Sequence, residues 1–185
     1  MKERILVTGG TGYIGSHTVV ELQNSGYEVI IIDNLSNSSA DVVDNIEKVS
    51  GIRPVFEKLD CLDFAGLDAM FAKYPGIKAI IHFAASKAVG ESVQKPLLYY
   101  RNNLVSLINL LELMPKHNVG GIVFSSSCTV YGQPDELPVT EQAPIKKAES
   151  PYGNTKQINE EIVRDTVASG APINAILLRY FNPIG

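Results

Sequence analysis

Cysteine is scarce in this 185-residue chain. Only Cys61 and Cys128 are present, and they form neither a CxxC pair nor a zinc-binding spacing with the three histidines. We therefore expect no bound metal. A reduced, cytoplasmic chain is the simplest interpretation of this cysteine usage.

Long apolar runs and basic clusters are also missing. No apolar segment approaches the roughly 18–20 residues that span a bilayer, and residues 1–4 lead into a short strand without a signal peptide. Lys and Arg number 16 against 20 Asp and Glu, which gives a net charge of −4, and no basic run exceeds Lys146 and Lys147. We expect neither a membrane nor a nucleic-acid partner.

The sequence does contain an alternation of strand-like and helix-like segments. Short apolar segments at 4–8, 27–33, 54–59, 77–83, 122–125 and 173–179 predict strands, and segments at 13–24, 39–49, 64–73, 92–114 and 151–169 predict helices. Nearly continuous apolar strands are typical of a parallel sheet covered on both faces. We predict one α/β domain over residues 1–185, a doubly wound parallel sheet of the Rossmann type, with one long loop at 132–150.

The chain ends at residues 182–185, directly after the last predicted strand. Ligands of open α/β sheets lie beyond the carboxyl ends of the strands. We therefore expect the sequence to be truncated where a site is forming.

Three glycines mark the first predicted turn. Gly9, Gly12 and Gly15 follow the first strand and open the first helix. Glycine permits a tight turn and a close approach of backbone N–H groups to a pyrophosphate at the helix N-terminus. A simple strand–helix turn is the alternative interpretation.

Two aspartates close the next two strands. Asp33 can accept hydrogen bonds from the ribose of a dinucleotide, and it would repel a 2′-phosphate. Residues 33–38 contain no arginine, so NAD is favoured over NADP. Asp60 can meet an adenine amino group in the same way. Either aspartate can instead cap a loop or form a turn.

A tyrosine and a lysine lie four residues apart after Pro151. Tyr152 and Lys156 would share a helix face, where a lysine cation and an oxidised nicotinamide would favour a phenolate that acts as a general base. Tyr74 and Lys78 have the same spacing, but Pro75 and Gly76 argue against a helix there. Residues 125–127, three serines, follow the fifth strand, and a hydroxyl there can pass a proton to the tyrosine.

Together these residues resemble the extended short-chain dehydrogenase/reductase family, in which the glycine loop, the strand-end aspartate, the serine and the Tyr-x-x-x-Lys pair occur in this order. Six segments, at 7–17, 33–38, 82–92, 125–132, 151–156 and 179–185, are similar to the nucleotide-sugar 4-epimerases of that family. Cys128 stands where a small residue such as alanine often follows the serines, and the two side chains are close in size.

The resemblance implies roles for individual residues. Tyr152 would be the base, Ser127 its hydroxyl partner, Lys156 the ligand of the nicotinamide ribose, and Asn182 a contact of the nucleotide sugar. Besides the glycine loop, the residues expected to contact NAD are Tyr13, Ile14, Asp33, Asn34, Leu35, Ser36, Asn37, Ser38, Asp60, Cys61, Phe83, Ala84, Ala85, Lys87, Asn102 and Phe181.

The activity that the resemblance implies is interconversion of UDP-glucose and UDP-galactose, by transient hydride transfer from sugar C4 to a tightly bound NAD. Family members are roughly twice as long and carry a C-terminal substrate domain, so we expect little activity from this chain alone. A 4,6-dehydratase, a UDP-GlcNAc 4-epimerase, a non-catalytic NAD-binding module and an incomplete product that barely folds are the alternatives.

The resemblance also suggests a homodimer through helices near 97–114 and 152–168. Four apolar positions on the first of these helices can form either the interface or ordinary core: Leu104, Leu107, Ile108 and Leu111.

Overall fold

Six parallel strands form the sheet in a computed structural model that describes residues 2–183. Their order is β3-β2-β1-β4-β5-β6, and every neighbouring pair is parallel. The order reverses between β1 and β4, which is the place where open α/β sheets bind ligands. The strands are β1 (Arg4–Thr8), β2 (Glu28–Asp33), β3 (Val55–Lys58), β4 (Ile77–His82), β5 (Gly121–Ser127) and β6 (Asn174–Tyr180).

Helices cover both faces of this sheet. On one face, Val7 and Ile31 pack with Val19 and Ile46 of the first two helices. On the other, Leu6, Phe71, Leu110, Phe124 and Val163 belong to a larger core. The predicted doubly wound α/β fold is therefore confirmed. The helices are α1 (Tyr13–Asn24), α2 (Asp41–Ser50), α3 (Phe64–Lys73), α4 (Val89–Gln94), α5 (Pro96–Lys116) and α6 (Pro151–Ala168), with a 3₁₀ turn at Cys128–Tyr131.

The single long helix predicted over 92–114 is wrong. Two helices, α4 and α5, meet at Lys95, whose φ of −129° and ψ of 57° lie outside the helical region. Proline has no N–H to donate to a preceding turn, and it disfavours helical geometry in the residue before it. Pro96 therefore starts a new helix instead of lying inside the first turn of a longer one.

Two further features place the site. Strand β5 extends to Ser127, so the three serines belong to the strand end itself. The segment between the 3₁₀ turn and α6 contains no helix or strand, as predicted for 132–150. None of the helices formed by residues 2–183 is both long and apolar enough to cross a membrane.

Candidate functional site

The carboxyl ends of the strands open onto a groove of about 810 Å³. Almost all residues singled out from the sequence line it. These are Gly9, Gly12, Tyr13, Ile14, Gly15, Asp33, Asn34, Ser36, Asn37, Ser38, Asp60, Cys61, Phe83, Ala84, Ala85, Lys87, Asn102, Ser127, Tyr152, Lys156, Phe181 and Asn182. The exception is Leu35, which does not line the groove; its backbone turns with a φ of 60° and its N–H donates to Asp33.

The glycine loop is packed too tightly for side chains. Gly9 has a φ of +68°, and a Cβ there would lie 2.8 Å from the Ala84 nitrogen. A Cβ on Gly15 would lie 2.2 Å from the carbonyl oxygen of Gly9. Gly12, the residue before α1, supplies no side-chain cap, and the first helical hydrogen bond runs from Ser16 N–H to its carbonyl at 2.9 Å. The preceding N–H groups at the start of α1 can therefore hold an anion.

Asp33 holds the neighbouring loop and is 8% exposed. One carboxylate oxygen accepts from the Leu35 N–H at 2.9 Å and the Ser38 hydroxyl at 3.2 Å, and the other accepts from the Thr11 N–H at 3.3 Å. A carboxylate has about four acceptor positions, so Asp33 keeps about one of them for a ligand. It caps a loop and also presents an acceptor to the groove.

Asp60 forms a turn and also lines the groove, so its expected contact with an adenine amino group stays a prediction. It accepts from the Leu62 N–H at 2.8 Å, two residues further along the chain. Its other oxygen accepts from the Asn34 side chain at 3.0 Å, which joins the loops that follow β2 and β3. Both aspartates thus organise the groove wall at the ends of their strands.

Helix α6 carries Tyr152 and Lys156 into the groove. Its N-cap, Ser150, accepts from the Gly153 N–H at 3.1 Å, and Pro151 is the first helical residue. Lys156 is 4% exposed and its Nζ donates to the Ser125 carbonyl oxygen at 2.7 Å. The ammonium lies 5.8 Å from the centroid of the Tyr152 ring. Burial lowers the pKa of Lys156 to about 8.

The protein's own groups do not make Tyr152 a stronger acid. Burial raises the pKa of its phenol above the usual 10; the Ser127 hydroxyl acts in the opposite direction, and Cys128 adds to the rise. The lowered pKa expected from the sequence therefore does not arise from Lys156 alone. Further positive charge beside the phenol is needed to stabilise its anion.

The second tyrosine–lysine pair is not part of a helix. Helix α3 ends at Lys73, just before Tyr74, and Lys78 belongs to β4. The Tyr74 hydroxyl instead donates to Glu57 at 2.5 Å. The expectation that Pro75 and Gly76 prevent a shared helix face is confirmed.

Sequence reasoning missed the polar residues that support the groove from behind. Asn103, which is buried, accepts from the Ser86 N–H at 2.8 Å and donates to the Ser86 carbonyl and the Thr155 hydroxyl, each at 3.0 Å. It ties the loop after β4 to α6. Asparagine is a poor helix former, so its place inside the predicted long helix was the available signal.

A buried histidine stands beneath the same loop. His82 Nδ1 lies 2.7 Å from the Thr8 hydroxyl, which also accepts from the Ala84 N–H at 3.2 Å. Burial, with a smaller contribution from the nearby Lys156 charge, lowers the pKa of His82 to about 3. It is therefore neutral and structural. Over residues 2–183, no group of three or more His, Cys, Asp or Glu side chains is placed to hold a metal ion.

Known proteins resemble this chain over nearly its whole length. The chain is 52% identical to the UDP-glucose 4-epimerases of Schizosaccharomyces pombe, over 185 residues, and of Bacillus subtilis, over 181 residues. It superimposes on the UDP-glucose 4-epimerase of Bifidobacterium longum, a structure in complex with NAD+ and UDP, with a TM-score of 0.95 at 48% identity. The resemblance to the nucleotide-sugar 4-epimerases is confirmed.

The chain spans about half the length of these proteins. The matches cover 98% of this chain in all three cases, but 52%, 53% and 54% of the S. pombe, B. subtilis and B. longum proteins. A model of the NAD dependent epimerase/dehydratase family matches residues 5–185. The chain belongs to this NAD dependent epimerase/dehydratase family.

Proposed function

We propose that this chain is the dinucleotide-binding part of a UDP-glucose 4-epimerase, and that the longer protein interconverts UDP-glucose and UDP-galactose. One observation carries the proposal: a single groove receives the glycine loop, Asp33 and the α6 residues Tyr152 and Lys156. The identity with UDP-glucose 4-epimerases over nearly the whole chain supports this substrate class.

The groove residues fit NAD. Gly9 and Gly15 let the backbone of the loop pack closely where a Cβ would clash, beside a helix N-terminus suited to a pyrophosphate. Asp33 retains acceptor capacity for a ribose hydroxyl, and residues 33–38 offer no cation to a 2′-phosphate. Lys156, which lines the same groove, is the residue that we expect to bind the nicotinamide ribose. These features favour NAD over NADP.

The chemistry requires a base beside a redox cofactor. When bound, NAD supplies a reversible hydride acceptor and a positively charged ring. Tyr152 takes the proton of the sugar 4-hydroxyl, with the Ser127 hydroxyl beside the phenol, and later returns it. Because burial raises the pKa of Tyr152, the phenolate depends on nearby cations. Lys156, with a pKa of about 8, remains mostly charged at neutral pH.

Turnover by the full-length protein tests this assignment. Tyr152→Phe removes the base and leaves the ring, so turnover should fall by about 10²–10⁴-fold while NAD stays bound. Tyr27→Phe is the matched control, because Tyr27 lies at the opposite end of the strands. Unchanged turnover in Tyr152→Phe with normal NAD content refutes the role of Tyr152.

The 185-residue chain should bind dinucleotide with little turnover. It covers 54% of the B. longum enzyme, and we expect the remaining part of the longer protein to supply most UDP-sugar contacts. Robust epimerisation by the isolated chain contradicts that division of labour. Ser127, Tyr152 and Asn182 are then the sugar contacts that we expect this chain to contribute, and all three line the groove.

The homodimer expected through the helices near 97–114 and 152–168 is part of the proposal, and α5 is the helix whose exposed face we consider. Leu107 and Leu111 are buried and belong to the core, and Leu104 is half-buried, but Leu97, Val105 and Ile108 are exposed on one helix face. These three apolar side chains are the ones we expect at the interface. Val105→Glu should convert a dimer to a monomer in sedimentation velocity, and an unchanged dimer excludes this face.

A further inference from the structure

We propose that Glu160 is a positioning residue that sets the register of α6 against the end of β5, and so places Tyr152 and Lys156 in the groove. The inference rests on the proposed function, because it assigns Glu160 to the geometry of that site. It is carried by the contact between one face of α6 and the three consecutive serines at the end of β5, residues 125–127.

Helix α6 presents Tyr152, Lys156 and Glu160 at intervals of four residues, on one face. Tyr152 lies beside the Ser127 hydroxyl, and Lys156 Nζ donates to the Ser125 carbonyl. The Glu160 carboxylate accepts from the Ser126 hydroxyl at 2.6 Å. Glu160 is thus the third of three successive links between α6 and the end of β5.

The Glu160 carboxylate is buried, and hydrogen bonds occupy both of its oxygens. It is 1% exposed, and one oxygen accepts from Ser126 Oγ at 2.6 Å and Arg179 Nε at 2.9 Å. The other oxygen accepts from Nη2 of Arg179 and Nη2 of Arg164, each at 2.7 Å. Four donors fill the acceptor positions of one carboxylate, so an uncharged amide cannot replace it without turning a donor toward a guanidinium.

The partner Arg179 extends the same link to β6. Its Nη1 donates to the Tyr131 hydroxyl at 2.9 Å, which joins the 3₁₀ turn to the strand. The residues that follow directly, Tyr180 to Asn182, line the groove. Glu160 therefore fixes α6 relative to both strands that border the catalytic end of the groove.

The isolated chain allows a test that does not depend on turnover. Glu160→Gln is compared with Glu161→Gln, an exposed neighbour on the same helix. Lysine-labelled NMR follows the titration of Lys156, and calorimetry measures NAD affinity. Thermal melts identify variants that do not fold. Ser126→Ala is the second variant, since it cuts only the link to β5 and leaves the pair with Arg179.

In wild type, burial disfavours the charged form of Lys156 and lowers its pKa to about 8. In Glu160→Gln we expect water to reach this ammonium, so the titration midpoint of Lys156 should move from about 8 toward 10.5. Loss of a nearby negative charge alone predicts no rise. NAD affinity should fall about tenfold. Ser126→Ala should change the Lys156 titration midpoint and the NAD affinity in the same directions, but by smaller amounts. Glu161→Gln should match wild type in both measurements.

A folded Glu160→Gln or Ser126→Ala chain whose Lys156 titrates as in wild type overturns the inference. If wild type binds no NAD at all, the proposed function fails instead. The Lys156 titration still decides the role of Glu160 in that case, because it is measured in the free protein.

Discussion

Lys156 Nζ donates a 2.7 Å hydrogen bond to the carbonyl oxygen of Ser125, although the residue is only 4% exposed. A buried ammonium with one hydrogen-bond acceptor destabilises the folded chain, since its hydration shell is lost. This cost is consistent with a site that holds its cation ready for a ligand. It also has a measurable consequence for stability.

The stability of the chain should rise with pH through the titration of Lys156. Its folded pKa of about 8 lies below the ordinary 10.5, so between these values the unfolded chain binds more protons than the folded one. Unfolding therefore becomes less favourable as pH rises, by about 2 kcal/mol between pH 7 and 9.5 for this group alone. Below pH 8 the cost of burial is fully present.

Urea unfolding of wild type and Lys156→Met isolates this contribution. Cys61, whose pKa burial raises to about 12, acts in the opposite direction above pH 9 in both proteins and cancels in the difference. The free energy of unfolding of wild type, minus that of Lys156→Met, should increase as pH rises. Parallel pH profiles for the two proteins contradict the burial of a charged Lys156.

The glycine loop should reject even one methyl group at Gly15. A Cβ there would lie 2.2 Å from the Gly9 carbonyl oxygen, whereas a Cβ on Gly90 in α4 would meet nothing within 4 Å. Gly15→Ala should weaken NAD binding or lower stability by about 1–3 kcal/mol through strain. Gly90→Ala should leave both unchanged. Calorimetry and thermal melts decide, and equal behaviour of the two variants counts against the packed loop.

The two cysteines should differ sharply in reactivity. Cys61 is buried with a pKa of about 12, so only about one molecule in ten thousand carries its thiolate at pH 8. Cys128 is half-buried and lines the groove beside Ser127. Iodoacetamide should label Cys128 at least about a hundredfold faster than Cys61.

Peptide mapping measures that ratio, and NAD should slow the labelling of Cys128. Cys128→Ser is the control, in which rapid labelling disappears. Fast modification of Cys61, or no protection by NAD in a chain that binds it, shows that the groove is arranged differently.

The face of β6 that carries Ile176 and Leu178 should make the isolated chain self-associate. β6 pairs only with β5 among the described residues, and Ile176 and Leu178 are 57% and 41% exposed on it. Changing both to threonine should weaken self-association by about tenfold or more. Val49→Thr, on the surface of α2, should have no such effect. Sedimentation velocity over a concentration series measures the association constant. An association constant that is the same in the double variant and in wild type shows that this face does not mediate self-association.

The sequence predicted the fold well because its strands are nearly continuous apolar runs. The segment at residues 28–33, for example, contains an unbroken β-branched apolar run, which is typical of a strand buried on both faces of a sheet. The break at Lys95 was missed, since one residue of non-helical backbone leaves no trace in an apolar pattern that continues on either side. Pro96 alone is compatible with both arrangements.

The groove residues were also predictable, some because they follow strand ends directly, as Asp33 and Asp60 do, and most others because the family resemblance implied them. The supporting contacts were not. Glu160 meets Arg179 and Asn103 meets Thr155 across long stretches of chain, so no local spacing signals either pair. The pKa values depend on burial in the same way, so the rise in the pKa of Tyr152 in the protein alone was not predictable, and its lowering beside a bound nicotinamide stays a prediction.

The measurement that bears most directly on the dinucleotide site is calorimetric titration of the purified 185-residue chain with NAD and, separately, with NADP. NAD should bind at one site per chain, and NADP should bind at least about tenfold more weakly, because we expect Asp33 to accept from a ribose hydroxyl and residues 33–38 contain no arginine for a 2′-phosphate. Absence of binding by a chain that melts cooperatively, or equal affinity for the two dinucleotides, contradicts the assignment.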